Sequence, residues 1–132
     1  MASVAQSFGS LAYFYYQNKQ LDSALYYRFQ QRNLAQYAKD TVNLIGAYDW
    51  ISNIYQDKNK FVDALAYCDT TLRYCYARND SSQIARQYNK KTKIYYSLGY
   101  FDKALENSFL AESFINSSDD KTLVYTYDLR AS

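Results

Sequence analysis

Proline and histidine are absent from this chain, and glycine occurs only three times. Each absence excludes something. Without His there is no imidazole base, no Ser-His or Cys-His nucleophile pair, and the commonest metal ligand is missing. Gly9, Gly46 and Gly99 stand alone, so no glycine loop can cradle a phosphate. Cysteine is scarce too: Cys68 and Cys75 are seven residues apart, about 10 Å of helical rise, beyond the roughly 7 Å between Cα atoms that a disulfide tolerates. Free thiols are expected, small residues on a packing stripe with Ala64 and Leu72, and they favour a reducing compartment. No apolar run approaches the roughly 18 residues of a bilayer span. The first residues lack the basic region of a signal peptide. The formal charge is only +2, from 15 basic and 13 acidic residues spread along the chain, so no strong field draws in nucleic acid or a membrane surface. The expectations are a cytoplasmic protein that is not an enzyme, holds no metal or cofactor, binds no nucleic acid through this domain and has no membrane segment within this chain.

What the chain has in quantity is aromatic side chains, 17 Tyr and 7 Phe in 132 residues. They recur with a period of forty residues. "YYQNKQLDSAL" (15–25), "YQDKNKFVDAL" (55–65) and "YYSLGYFDKAL" (95–105) align without gaps. Tyr15, Tyr55 and Tyr95 fall in one column, as do Ala24, Ala64 and Ala104, then Leu25, Leu65 and Leu105, and Asp40, Asp80 and Asp120. Phe8, Tyr48 and Tyr88 keep an aromatic, Leu21, Phe61 and Phe101 a large apolar residue, and Val4, Leu44, Ile84 and Val124 an aliphatic one. A period of this length signals a stacked repeat.

Each repeat reads as two helices. The first, helix A, carries apolar residues at offsets of three and four, such as Phe8, Leu11, Ala12 and Tyr15, or Tyr48, Ile51 and Tyr55. Polar turns at 17–20, 57–60 and 97–100 end it, where Gly99 suits a helix C-terminus. Helix B follows at once, with Ala24, Ala64 and Ala104 where two backbones come close and Asp22, Asp63 and Asp102 near the positive end of its dipole. Asp40, Asp80 and Asp120 are expected to cap the next helix A, and Asp80 with Gln83 has capping-box spacing. The fold class expected is all-α: a right-handed superhelix of antiparallel helix pairs in a single domain over 1–132. It holds repeats at 1–40, 41–80 and 81–120, and residues 121–132 form a partial fourth helix A or a cap.

This unit resembles the tetratricopeptide repeat. The resemblance is carried by Ala12, Tyr15, Leu21, Ala24 and Leu25, by Ser52, Tyr55, Phe61, Ala64 and Leu65, and by Tyr95, Gly99, Phe101, Ala104 and Leu105. The period is 40 rather than 34, no proline follows helix B, and Lys91 and Thr92 replace an apolar-small pair. Long repeats of this kind occur in kinesin light chains and in bacterial regulatory proteins. HEAT-like and armadillo repeats also run near forty residues, but the short A–B turn and the Ala-Leu pair argue against them.

The resemblance implies that the A helices line a concave groove that takes a protein or peptide. With Phe8, Leu11, Ala12 and Tyr15 packed, the opposite arc of the first A helix holds Gln6, Gly9, Tyr13, Tyr16 and Gln17. In the second it holds Gly46, Asp49, Asn53, Gln56 and Asp57, and in the third Arg86, Asn89, Lys93, Tyr96 and Ser97, with Trp50 and Lys90 at the edge. The clamp by which some members of the family hold a peptide carboxylate maps onto Gly9, Tyr13, Asp49, Asn53, Asn89 and Lys93. Only Asn53, Asn89 and Lys93 suit it, and Asp49 opposes it. The expected function is a protein- or peptide-binding scaffold, the interaction or sensory part of a larger regulatory or adaptor protein. The alternative is a module that self-associates through the ends of the array, a homo-oligomer.

Overall fold

The computed structural model describes residues 3–116 and contains, among them, helices and no strand. The elements are α1 (Val4–Gln17), α2 (Leu21–Tyr37), α3 (Thr41–Asp57), α4 (Phe61–Ala77), α5 (Ser81–Ser97) and α6 (Phe101–Asn116). Helices A and B of the forty-residue register are thus α1 and α2, α3 and α4, α5 and α6. The expected cap at Asp120 and the segment 121–132 lie outside the described residues. None of the described helices is long and apolar enough to cross a membrane.

All five turns are built alike. The residue after each C-cap takes the left-handed conformation: Lys19 (φ 60), Lys39 (φ 56), Asn59 (φ 60), Asn79 (φ 53) and Gly99 (φ 82). The next amide then reaches back five residues, Gln20 to Tyr15, Asp40 to Ala35, Lys60 to Tyr55, Asp80 to Cys75 and Tyr100 to Tyr95, at 2.8–3.1 Å. This is the Schellman closure, which satisfies the last carbonyls of a helix. The residue that completes it already occupies the N-cap of the next helix, so no proline is needed to stop one helix and no linker to start another. Asp40 and Asp80 cap as expected, accepting from the Asn43 and Gln83 amides at 3.1 and 3.2 Å. The fully reciprocal capping box is at α1, between Ser3 and Gln6.

The chain divides into two compact units, one up to Thr71 and the other from Leu72 onward. In the first unit, α1 packs on α2 and α2 on α3, with Ala24 and Ala64 fully buried. Aromatic rings from helix B are inserted between two rings of helix A. Tyr27 stacks on Tyr15 (5.4 Å, 9°) and on Phe8 (6.0 Å, 21°). One repeat later Tyr67 stacks on Tyr55 (5.6 Å, 12°) and on Tyr48 (6.0 Å, 27°). The same three columns therefore make the same three-ring sandwich twice, which is where much of the aromatic content is used. Cys68 is buried in this unit and belongs to no disulfide.

One packing expectation is corrected here. Leu11 is 37% exposed and Phe14 60%, while their counterparts on α3, Ile51 and Ile54, are both 0% exposed. α3 has α2 on one side as well as α4 on the other, whereas among the described residues α1 has only the later side covered.

In the second unit α5 packs on α6, with Ile84, Ala85 and Ile94 in the core beside Ala104 and Ala111, and Cys75 is likewise buried and in no disulfide. Helix B here carries Asn107 at the column of Tyr27 and Tyr67, so the sandwich is rebuilt differently. Phe114 stacks on Tyr88 at 6.0 Å and meets Tyr76 edge-on at 5.6 Å, and the Tyr76 and Tyr88 hydroxyls are 2.8 Å apart.

Candidate functional site

Tyr13 and Tyr16 lie three apart on α1, hence on one face, and both set their edges against Trp50 of α3, at 5.7 and 5.0 Å between centroids. Tyr13 is exposed and Tyr16 and Trp50 are half-buried. The Tyr16 hydroxyl donates to the Asp57 carboxylate at the end of α3. That bond, with burial and the carboxylate's charge, pushes the Tyr16 phenol up to about 12, so it remains a neutral donor. Beside it, Tyr16, Gln17, Lys19, Leu21 and Asp57 line an opening of about 400 Å³.

Behind the rings is an arginine that belongs to helix B and not to the arcs of the A helices. Arg28, on α2, is 5% exposed and its guanidinium lies over the Trp50 ring, 4.9 Å from the centroid. Its Nη1 donates to Gln31 Oε1 at 2.9 Å, and its buried Nε has no hydrogen-bond partner. Gln31 Nε2 in turn donates to Asn43 Oδ1 at 3.1 Å, and Asn43 Nδ2 to Asp40 Oδ2 at 2.8 Å. The carboxylate that caps α3 is thus the end of a polar relay that holds Arg28 in place. Burial draws the guanidinium down to about 10, with the Asp49 carboxylate pushing the other way, so it is cationic at neutral pH.

Gly9 makes the relay possible. A Cβ there would sit 2.9 Å from Gln31 Nε2, so the gap over Gly9 is the space through which Gln31 passes toward α3. Above it, Gln6, Ser10, Tyr13, Arg28 and Asn43 border an open depression of about 550 Å³. Two arc residues are therefore not open: Gly9 is covered, and Asp49 is only 5% exposed. Asn53 and Gln56 are half-buried on α3, and Gln17 is exposed.

In the second unit, Asn89, Lys93, Tyr96, Arg86 and Ser97 are exposed on α5. Tyr96 meets Phe101 edge-on at 5.3 Å, and Gly99–Lys103 line a further opening of about 540 Å³. Lys90, expected at an edge, is buried. No group of three or more acidic, Cys or His side chains among the described residues could hold a metal ion.

Arg28 and Gln31 did have a signal in the register. The column of Arg28 contains Cys68 and Ser108, and that of Gln31 contains Thr71 and Ala111. Cys68 and Thr71 are fully buried and Ala111 nearly so. A long cation and a long amide in columns otherwise filled by small residues have to reach past the packing layer.

No family model and no curated protein matches this sequence. Solved structures do. The tetratricopeptide-repeat domain of Arabidopsis FLU superposes with a TM-score of 0.78 at 19% identity, over 86% of this chain and 95% of that one. The N-terminal domain of stress-induced protein-1 from C. elegans gives 0.75 at 15%, over 96% and 94%. Aspartyl phosphate phosphatase F from Bacillus subtilis gives 0.82 at 19% over 87% of this chain, which spans only 30% of that one. The fold is that of tetratricopeptide-type helical repeats.

Proposed function

We propose that the chain is a protein- or peptide-binding scaffold, acting as the interaction part of a larger regulatory or adaptor protein. The observation that carries this reading is the cluster of Tyr13, Tyr16 and Trp50: three aromatic side chains meet edge to face from two A helices of a repeat fold, with Tyr13 and Tyr16 each bordering an open depression. Rigid aromatic anchors beside polar groups suit the capture of an extended segment. The contact residues proposed are Tyr13, Tyr16, Gln17, Asn53 and Gln56 of the first unit and Asn89, Lys93 and Tyr96 of the second, with Asp49 acting from beneath. The test replaces Tyr13, Asn53 and Lys93 together by Ala and compares partner recovery in pull-downs. Loss of recovery with unchanged circular dichroism supports the reading, and undiminished recovery sinks it.

A second reading, self-association, is supported by apolar edges: Val4, Leu11 and Phe14 on α1, and Phe101, Leu105 and Phe109 on α6, are all exposed. Light scattering over a concentration series decides it, a constant monomer mass removing it.

A further inference from the structure

The first and last described helices are open in the columns that the interior of the array closes. On α1, Val4 is 63% exposed and Phe14 60%, with Leu11 beside them, whereas Leu44, Ile51 and Ile54 in the same columns of α3, and Ile84 and Ile94 of α5, are buried. On α6, Phe101 is 60% exposed and Leu105 55%. Their counterparts Leu21, Leu25, Phe61 and Leu65 are half-buried. Nor is α1 built to face water: its sequence, VAQSFGSLAYFYYQ, contains no charged side chain, although the terminal unit of a repeat array ordinarily carries a polar outer face. Each end thus presents one half of an interface that the array already makes. The α2–α3 junction shows that interface complete. Polar contacts cross it from Asp22 to Lys58, from Gln31 to Asn43 and from Arg28 to the Trp50 ring.

We propose that copies of this chain join head to tail, α6 of one copy packing on α1 of the next as α2 packs on α3. The proposal rests on the self-association reading and deepens it, by naming which face meets which. One sequence supplies both halves of the junction in one register, which is what selects a second copy as the occupant. Carried through that register, the three crossing contacts become Asp102 with Asn18, Ala111 with Ser3 and Ser108 with Ser10 of the next copy. None of them sets like charges together, the arrangement that would oppose association. Covering Val4, Leu11 and Phe14 with Phe101 and Leu105 takes large apolar side chains out of water, and this drives the join. Because the two faces differ, the contact is heterologous. Joined copies keep one open α1 face and one open α6 face, so the contact does not stop at two.

The test uses the full chain in sedimentation velocity over a concentration series, with one variant for each face. Phe14→Lys alters only the α1 face and Leu105→Lys only the α6 face, both at exposed positions, so circular dichroism should be unchanged. Leu11→Lys and Phe101→Lys form a second pair should either of the first misfold. We expect the wild type to grow past a dimer as concentration rises. Each variant alone should need about tenfold more protein or higher to associate, since a charge is buried at the join. Mixed in equal amounts, the two variants should form a dimer and nothing larger, because each still has the face that the other has lost. Self-association of Leu105→Lys at the wild-type concentration means that α1 pairs with α1, and that of Phe14→Lys that α6 pairs with α6. Either result, or a mixture that stays monomeric while the wild type assembles, overturns the head-to-tail join and leaves self-association standing. A wild type that is monomeric throughout, as when residues 121–132 or another protein cover these faces, overturns both.

Discussion

Four of the five left-handed turn residues are Lys or Asn, where Gly would be the least strained choice. Asn tolerates the conformation through its short polar side chain, but Lys does not, and the left-handed region costs a residue with a Cβ about 1–2 kcal/mol. Lys39 is exposed and its side chain has no role in the closure, so Lys39→Gly is expected to stabilise the protein by about 0.5–1 kcal/mol in urea unfolding, after the larger backbone entropy of Gly is set against the relief of strain. The same scale governs Tyr16. Its phenol is raised to about 12 by the bond to Asp57, and that of Tyr76 also to about 12, by burial first and then by Tyr88. A phenol raised above its unfolded value near 10 contributes stability that is fully present below pH ~10 and is lost as pH rises through its folded value. A spectrophotometric titration should show a fraction of the tyrosines ionising late, and Tyr16→Phe should remove one late step while leaving the rest.

At the scale of the helix, position decides what a glycine is for. Gly46 lies inside α3, and a Cβ added there meets nothing within 4 Å. Gly46→Ala is therefore expected to raise stability by about 0.5–1 kcal/mol, the ordinary gain in helix propensity. Gly9→Ala in α1 gains the same propensity but pushes into Gln31, so its thermal midpoint should lie below that of Gly46→Ala. The ring sandwiches are the other element-scale device. Tyr67 is held between Tyr48 and Tyr55, and Tyr67→Ala is expected to cost about 3 kcal/mol, near the lower end for truncating a packed aromatic because the ring is only half-buried. Calorimetry measures it, and a loss below about 1 kcal/mol would show that the stack is incidental. Helix spans, turn positions and two caps were all legible in the forty-residue register, because each depends on neighbours within a few residues. The insertion of Tyr27 and Tyr67 between A-helix rings was not, since nothing local separates a ring that packs from Tyr26 beside it, which is exposed.

On the scale of the molecule, stability in repeat folds is a sum over units and the interfaces between neighbours. Ile51 is fully buried between the helices that flank α3, and Ile51→Ala is expected to cost about 2–4 kcal/mol. Trp50, the adjacent residue, reports the loss: its fluorescence transition in urea should move to lower denaturant by the corresponding amount. A midpoint that stays in place would place Ile51 outside the core. The exposure of Leu11 and Phe14 belongs to this scale too. Leu11 has the periodicity of a core residue, and only the neighbour across the interface, α2 for α3 and none among the described residues for α1, decides whether such a residue is covered.

The sequence by itself determined the helix pairs, their lengths and the closures between them, because three copies of one local pattern repeat the same preferences in the same register. It also set Tyr13 and Tyr16 three apart, on one face of the first helix A. The tertiary structure alone decided that Asp49 would be buried and that Arg28 would come through from the second layer to stand beside Trp50. The reason is steric and electrostatic. Where a long side chain ends depends on the room left by residues on other helices, here the bare backbone at Gly9, and on a chain of hydrogen-bond partners whose members are far apart in sequence.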